Sequence, residues 1–175
     1  MVLERGAVDK VQHKVQWIKD LAKAEQQMEE SGIIDFSAGM NANELLANET
    51  IDFLKDLKMA FIETSSAFND QKSSSLGQVK LYGISKTIAD FMLFRNGYKL
   101  IFALKSPGVI SISFNHIGNS FIPGAQAQES NSNSDHLVAK WGAFGQLIWT
   151  FKDQRIQLDY LVRYYFTRFI KESAK

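Results

Sequence analysis

TIADFMLFRNGYKLIFALK, residues 87–105, decides the fold. Asn96-Gly97 stands between two runs rich in Phe, Leu and Ile. Asn and Gly readily take the positive φ angles of a type I′ turn, so the stretch predicts a hairpin of Thr87–Arg95 and Tyr98–Lys105. Side chains alternate across a strand. Phe91, Leu93, Leu100, Phe102 and Leu104 therefore alternate with Ile88, Met92, Phe94, Ile101 and Ala103. Both sets are apolar, which predicts a sheet centre covered on both sides. Asp90 interrupts the second set.

The pattern continues toward the C-terminus. Ser106-Pro107-Gly108 makes the next turn, and Val109–His116 follows as a strand. There Ile110, Ile112, Phe114 and His116 face one way, while Ser111, Ser113 and Asn115 give a wet face. Ile117–Asp135 mixes Gly, Pro, Gln, Asn and Ser without periodicity, and a flexible loop is expected over 117–135. Strands are predicted near His136–Trp141 and Gln146–Phe151, with Gly142 and Gly145 permitting a bend between them. Lys152-Asp153-Gln154-Arg155 reads as a turn, and Asp159 as the cap of a final helix. On that helix Leu158, Leu161, Val162, Tyr165, Phe166, Phe169 and Ile170 fill one half of the circumference.

Toward the N-terminus the period changes to that of helices. Val8, Val11, Val15, Ile18, Leu21, Ala22 and Met28 predict a helix over Val8–Glu30, stopped by Ser31-Gly32. Asn41 caps a second helix, with Glu44 as its reciprocal partner. Leu46, Phe53, Leu54, Leu57, Phe61 and Phe68 stripe that helix over Ala42–Phe68, and 69–75 reads as a polar linker. The predicted class is α+β. It begins with an N-terminal two-helix antiparallel hairpin (1–70). A mainly antiparallel meander of about six strands and a C-terminal amphipathic helix packed on it (76–175) complete one domain. This element order is similar to helix-grip and pleckstrin-homology-like arrangements. The similarity is one of order alone and implies no function.

Composition narrows the chemistry. The 175 residues include no Cys, which removes disulfides, thiolate nucleophiles and Cys-bound zinc. Met1–Gly6 lacks the apolar core of a signal peptide, and no apolar run approaches the roughly 20 residues of a membrane span, so a cytoplasmic protein is expected. Residues 1–72 carry 8 Lys/Arg against 13 Asp/Glu, whereas 73–175 carry 12 against 6. Two such halves attract each other within one chain or between two copies.

No motif compels a reaction. Gly83-Ile84-Ser85-Lys86-Thr87 lacks the earlier glycine of a phosphate loop and the second glycine of a nucleophile elbow. His116, Asp135 and His136 bracket the 117–135 loop, and could offer metal ligands or a base with its orienting carboxylate if the loop ends meet. Neither role has a diagnostic spacing, and no cofactor or metal is expected. Asp90 is either an acid–base group with a raised pKa or an inward charge protecting a sheet edge. The polar half of the last helix carries Arg163, Tyr164, Arg168 and Lys171, an aromatic and basic face able to hold an anionic partner. The expectation leans away from an enzyme, toward a non-catalytic interaction or scaffold module that binds a protein or a second copy. The alternatives are a small-molecule site between sheet and last helix, anchored by Asp90, His116 and His136, and nucleic-acid binding through the basic face.

Overall fold

The computed structural model describes residues 3–116 and 134–174, with residues 3–14 described as backbone only. The chain forms two compact units, Met1–Leu45 and Leu46–Lys175. Segment 117–133, most of the expected flexible loop, lies outside the described residues. No helix among the described residues is long and apolar enough to cross a membrane.

In the first unit, α1 spans Leu3–Ser31. The connector then turns at Asp35, whose carboxylate accepts from the Ser37 hydroxyl at 2.6 Å and its amide at 2.9 Å. Those bonds hold the carboxyl below its ordinary pKa, the hydroxyl contributing most. Helix α2, Ala42–Asp70, starts as its sequence implies, with the Glu44 amide donating to Asn41 Oδ1 at 3.2 Å.

The second unit holds a seven-stranded antiparallel sheet whose spatial order is its chain order. The strands are β1 (Lys80–Gly83), β2 (Phe91–Arg95), β3 (Tyr98–Ser106), β4 (Val109–His116), β5 (Asp135–Trp141), β6 (Leu147–Phe151) and β7 (Gln154–Arg155). Helix α3, Leu158–Glu172, follows. Asn96 and Gly97 take φ of 50° and 81°, and Arg95 pairs with Tyr98 across the turn. The sheet has seven strands where about six were expected. The run expected to begin at Thr87 pairs only from Phe91, because the Ile84 amide donates to Asp90 O and closes a loop over the residues between. The expected turn 152–155 is tighter than four residues. Lys152 and Asp153, both at positive φ, make it, which leaves Gln154 and Arg155 free to pair with β6. Asp159 lies in the first turn of α3, and Gln157 occupies the cap position.

Register places the core. Phe91, Leu93, Leu100, Phe102, Ile110, Ile112 and Leu137 share one face, all buried. Both helices of this unit cover that face. Phe61 of α2 lies 4.8 Å from Phe102, and Tyr165 of α3 meets the same ring edge-on at 6.0 Å. At the far side of the face Phe53 stacks on Trp149 at 4.5 Å. Cover on both sides was expected, and within this unit the helices lie on one face only. Met92, Phe94, Ile101 and Ala103 on the second face are only half-buried.

Two buried polar links set the helices on the sheet. Thr50, fully buried, donates to Leu46 O at 2.6 Å and accepts from the Gly108 amide at 2.8 Å. Gly108 stands at φ +82° with Leu46 so close that a Cβ would lie 3.0 Å from its Cδ1, so only glycine fits this turn against α2. Arg95, 7% exposed, donates from Nε to Gly77 O at 2.7 Å. Its Nη1 reaches Ile170 O at 3.1 Å and Ser173 Oγ at 3.0 Å, and its guanidinium lies over the Phe68 ring. Replacing it, Arg95→Met, removes the donor of three acceptors, of which Ser173 is buried and Gly77 and Ile170 are half-buried, and should cost about 3 kcal/mol. Arg95→Lys cannot fork between the same groups and should recover less than half of that. Urea midpoints followed by circular dichroism measure both losses. A stable Arg95→Met protein would remove the link.

Candidate functional site

The three residues expected at one centre, His116, Asp135 and His136, are held apart by the ladder itself. Ser111 pairs with His136 and Ile112 with Asp135. Paired residues share a face and neighbours alternate, so Asp135 lies on the core face and His136 on the other. His116 keeps the parity of Ile112 and lies on the core face, four positions beyond it, or about 13 Å along the strand. The two imidazoles therefore sit on opposite sides of the sheet. Each has a local neighbour: His116 lies 4.1 Å from the Tyr98 ring, and His136 Nε2 is 3.2 Å from Lys105 Nζ. Among the described residues no three His, Asp or Glu groups converge as a metal site would require.

Asp90 holds a structural position. Its carboxylate accepts from the Leu104 amide at 2.8 Å, where β3 runs on past the start of β2 and its register slips between Leu104 and Ser106. A ladder amide left open by the unequal strand lengths is satisfied by the side chain of the residue just before β2.

Asp135 bonds to α3 from the core face of β5. Its Oδ2 accepts from the Tyr165 hydroxyl at 2.7 Å. Burial, then the Asp135 carboxylate, pushes the Tyr165 phenol well above its ordinary pKa. Arg163, Tyr164, Arg168 and Lys171 are all exposed. The structure gives two of them neighbours within the fold. The Arg168 guanidinium covers the Phe114 ring at 4.4 Å, and Tyr164 meets Tyr165 edge-on at 5.0 Å. Arg163 lines an open groove of about 300 Å³ between α2 and α3, whose wall includes the acids Glu63 and Asp159. A second open groove, about 430 Å³, lies between α2 and β1.

The expected bend between Gly142 and Gly145 is present, and what sequence reading missed is the exposed Phe144 within it. Ala143–Gly145 form one 3₁₀ turn, with the Gly142 amide donating to Gln146 O at 2.8 Å. A Cβ on Gly142 would sit 2.6 Å from Ile148 Cδ1, so a larger residue there would push the Ile148 side chain aside. Phe144 at its tip has φ 56° and ψ 28° and is fully exposed. Trp141, beside it, is about half exposed. A left-handed conformation is unusual for a bulky residue, and strained residues cluster at functional positions. The signal in the sequence was an aromatic residue between two glycines that no strand or helix period recruits to the core. Scans against protein-family models and searches of curated proteins and of solved structures find no match to this chain.

The Tyr165–Asp135 bond gives a pH test. The phenol stays protonated in the folded chain while an unfolded tyrosine ionises near pH 10, so the unfolded state then binds fewer protons. The stability from this group is complete below that pH and falls as pH rises further. Tyr165→Phe should lower stability by about 1–2 kcal/mol at pH 7, because a half-buried carboxylate loses its donor. Above pH 10 the gap between the two proteins should narrow. Urea midpoints from pH 7 to 11 test this, and a constant gap would contradict the assignment.

Proposed function

We propose that this chain is a non-catalytic protein-interaction module that engages its partner through the Trp141–Phe144 tip. The observation carrying this reading is Phe144, a fully exposed aromatic ring fixed in a left-handed turn. A turn that serves folding alone would place glycine or asparagine there. Aromatic side chains are the usual anchors of protein interfaces, since they bury a large area while freezing few torsions. The first unit adds to the reading by exposing Trp17, Ile18, Ile34 and Phe36. The small-molecule alternative has less support, because the space between α3 and the sheet is filled by Phe102, Tyr165 and Phe169. Nucleic-acid binding through α3 has less as well, with Arg168 engaged on Phe114 and acids beside Arg163.

Phe144→Gly separates binding from folding. Removing a side chain from the left-handed region should leave stability unchanged or raise it by about 1 kcal/mol. A photo-crosslinking phenylalanine analogue at position 144, expressed in the source cells, should give one discrete adduct. The same analogue at the exposed position 172 should give none. A Phe144→Gly protein that loses stability, or no adduct at 144, would return this residue to a structural role.

A further inference from the structure

We propose that the free edge of β1 receives an extended peptide from a partner protein as an eighth strand, antiparallel to β1. This surface lies beyond the Trp141–Phe144 tip, at the opposite end of the strand order from β6 and β7.

The hydrogen-bond ladder shows which backbone groups are open. Lys80 and Tyr82 pair with Phe94 and Met92, and the Ile84 amide continues that parity by donating to Asp90 O. In an antiparallel ladder the alternate residues turn their N–H and C=O groups away from the partner strand. Those residues are Val79, Leu81 and Gly83. Val79 is already closed. Asn69 Nδ2 donates to its carbonyl at 2.9 Å, and its amide donates to Asn69 Oδ1 at 2.8 Å. One side-chain amide of α2 thus does the work of a peptide unit in a neighbouring strand. Leu81 and Gly83 have no such partner among the described residues. Outward N–H and C=O groups at this spacing are matched by another extended backbone.

A second observation points to the same place. The groove beside β1 is walled by Lys58, Ile62, Ser65 and Asn69 of α2, with Leu81 and Gly83 on its other side. The Ser65 side chain is 5% exposed, and its hydroxyl has no hydrogen-bond partner among the described residues. A buried hydroxyl without a partner is costly, and a peptide group entering the groove would supply one. Charge orders the ends of the guest. Lys58 Nζ lies beside Gly83, and Asp70 lines the end near Val79. An antiparallel guest has its N-terminal end at Gly83, so it carries an acid first, apolar residues against Ile62 and Leu81, and a base last.

The test uses the full chain and a capped peptide that alternates valine and threonine between an N-terminal glutamate and a C-terminal lysine. Titration is followed by amide NMR. The Leu81 and Gly83 amides should shift saturably and exchange with solvent more slowly, at a dissociation constant in the millimolar range or below. N-methylation of alternate peptide amides should abolish this, and Ser65→Ala should weaken it about fivefold. Equal binding by the peptide with its two charges exchanged would overturn the antiparallel assignment. No saturable change at Leu81 and Gly83 would overturn the site. Slow exchange of both amides before peptide is added would also overturn it, since the edge would then be covered by the chain itself or, if protection grows with concentration, by a second copy. The readout is confined to β1, so its failure leaves the Trp141–Phe144 reading standing.

Discussion

A guanidinium taken out of water needs acceptors at fixed positions, and the acceptors of Arg95 come from parts of the chain far apart in sequence. Gly77 belongs to the linker before the sheet, and Ile170 and Ser173 to the end of α3. Asn96 adds a bond from its amide nitrogen to Ser173 O at 2.8 Å. The last carbonyls of a helix have no partner within it and carry the negative end of its dipole, so a cation and an amide are the groups suited to close them. Arg95 can do this because it is the last residue before a two-residue turn. Strand parity puts it on the core face, while its place at the sheet margin lets it reach past the strand end. Helix α3 is thereby fixed along its own axis as well as pressed on the sheet. Thr50 and Gly108 fix α2 in the same way, through one buried hydroxyl and one turn glycine.

These links explain which parts of the fold were legible in the sequence. The Asn96-Gly97 hairpin, the strand Val109–His116, the Asn41 cap and the apolar stripes of α2 and α3 all follow from local rules about φ, period and capping. They were read within a few residues. Arg95 gave no such signal, because a charged residue at a strand end looks solvated until the helix that meets it is known. The same is true of β1 and β7. Each is short, and its pairing depends on a neighbour rather than on its own composition. Within the second unit, the cover expected on both faces of the central hairpin comes from helices on one face. Apolar residues on both faces show that both could be buried, while the helices of the second unit settle on one.

The candidate site was less legible than the fold. His116, Asp135 and His136 lie near one another in sequence terms only through the ends of one loop. Register then decides. Asp135 and His136 are adjacent and so oppose each other across the sheet, and four strand positions divide His116 from the residue paired with Asp135. A step of one residue reverses a side chain's face, and no composition rule fixes that step in advance. Asp90 stands out in the sequence as a charge among apolar residues. Its physical cause was unequal strand length, which leaves the Leu104 amide in need of an acceptor.

Where a structure satisfies most of its buried groups, the places left incomplete carry information. The Tyr165 hydroxyl, the Arg95 guanidinium, the Thr50 hydroxyl and the Asn69 amide each close a specific gap, and they do so with short, directional bonds. Against that background a buried Ser65 hydroxyl with nothing to bond is an exception, and so is a phenylalanine held outward in a turn suited to glycine. Neither can be attributed to loose packing. Phe61, Phe91 and Phe102, which pack on one another beneath α2, are fully buried. Selection for stability alone would have replaced both residues cheaply, Ser65 with alanine and Phe144 with glycine. The two exceptions lie at separate surfaces, Ser65 in the groove beside β1 and Phe144 at the tip of the β5–β6 turn.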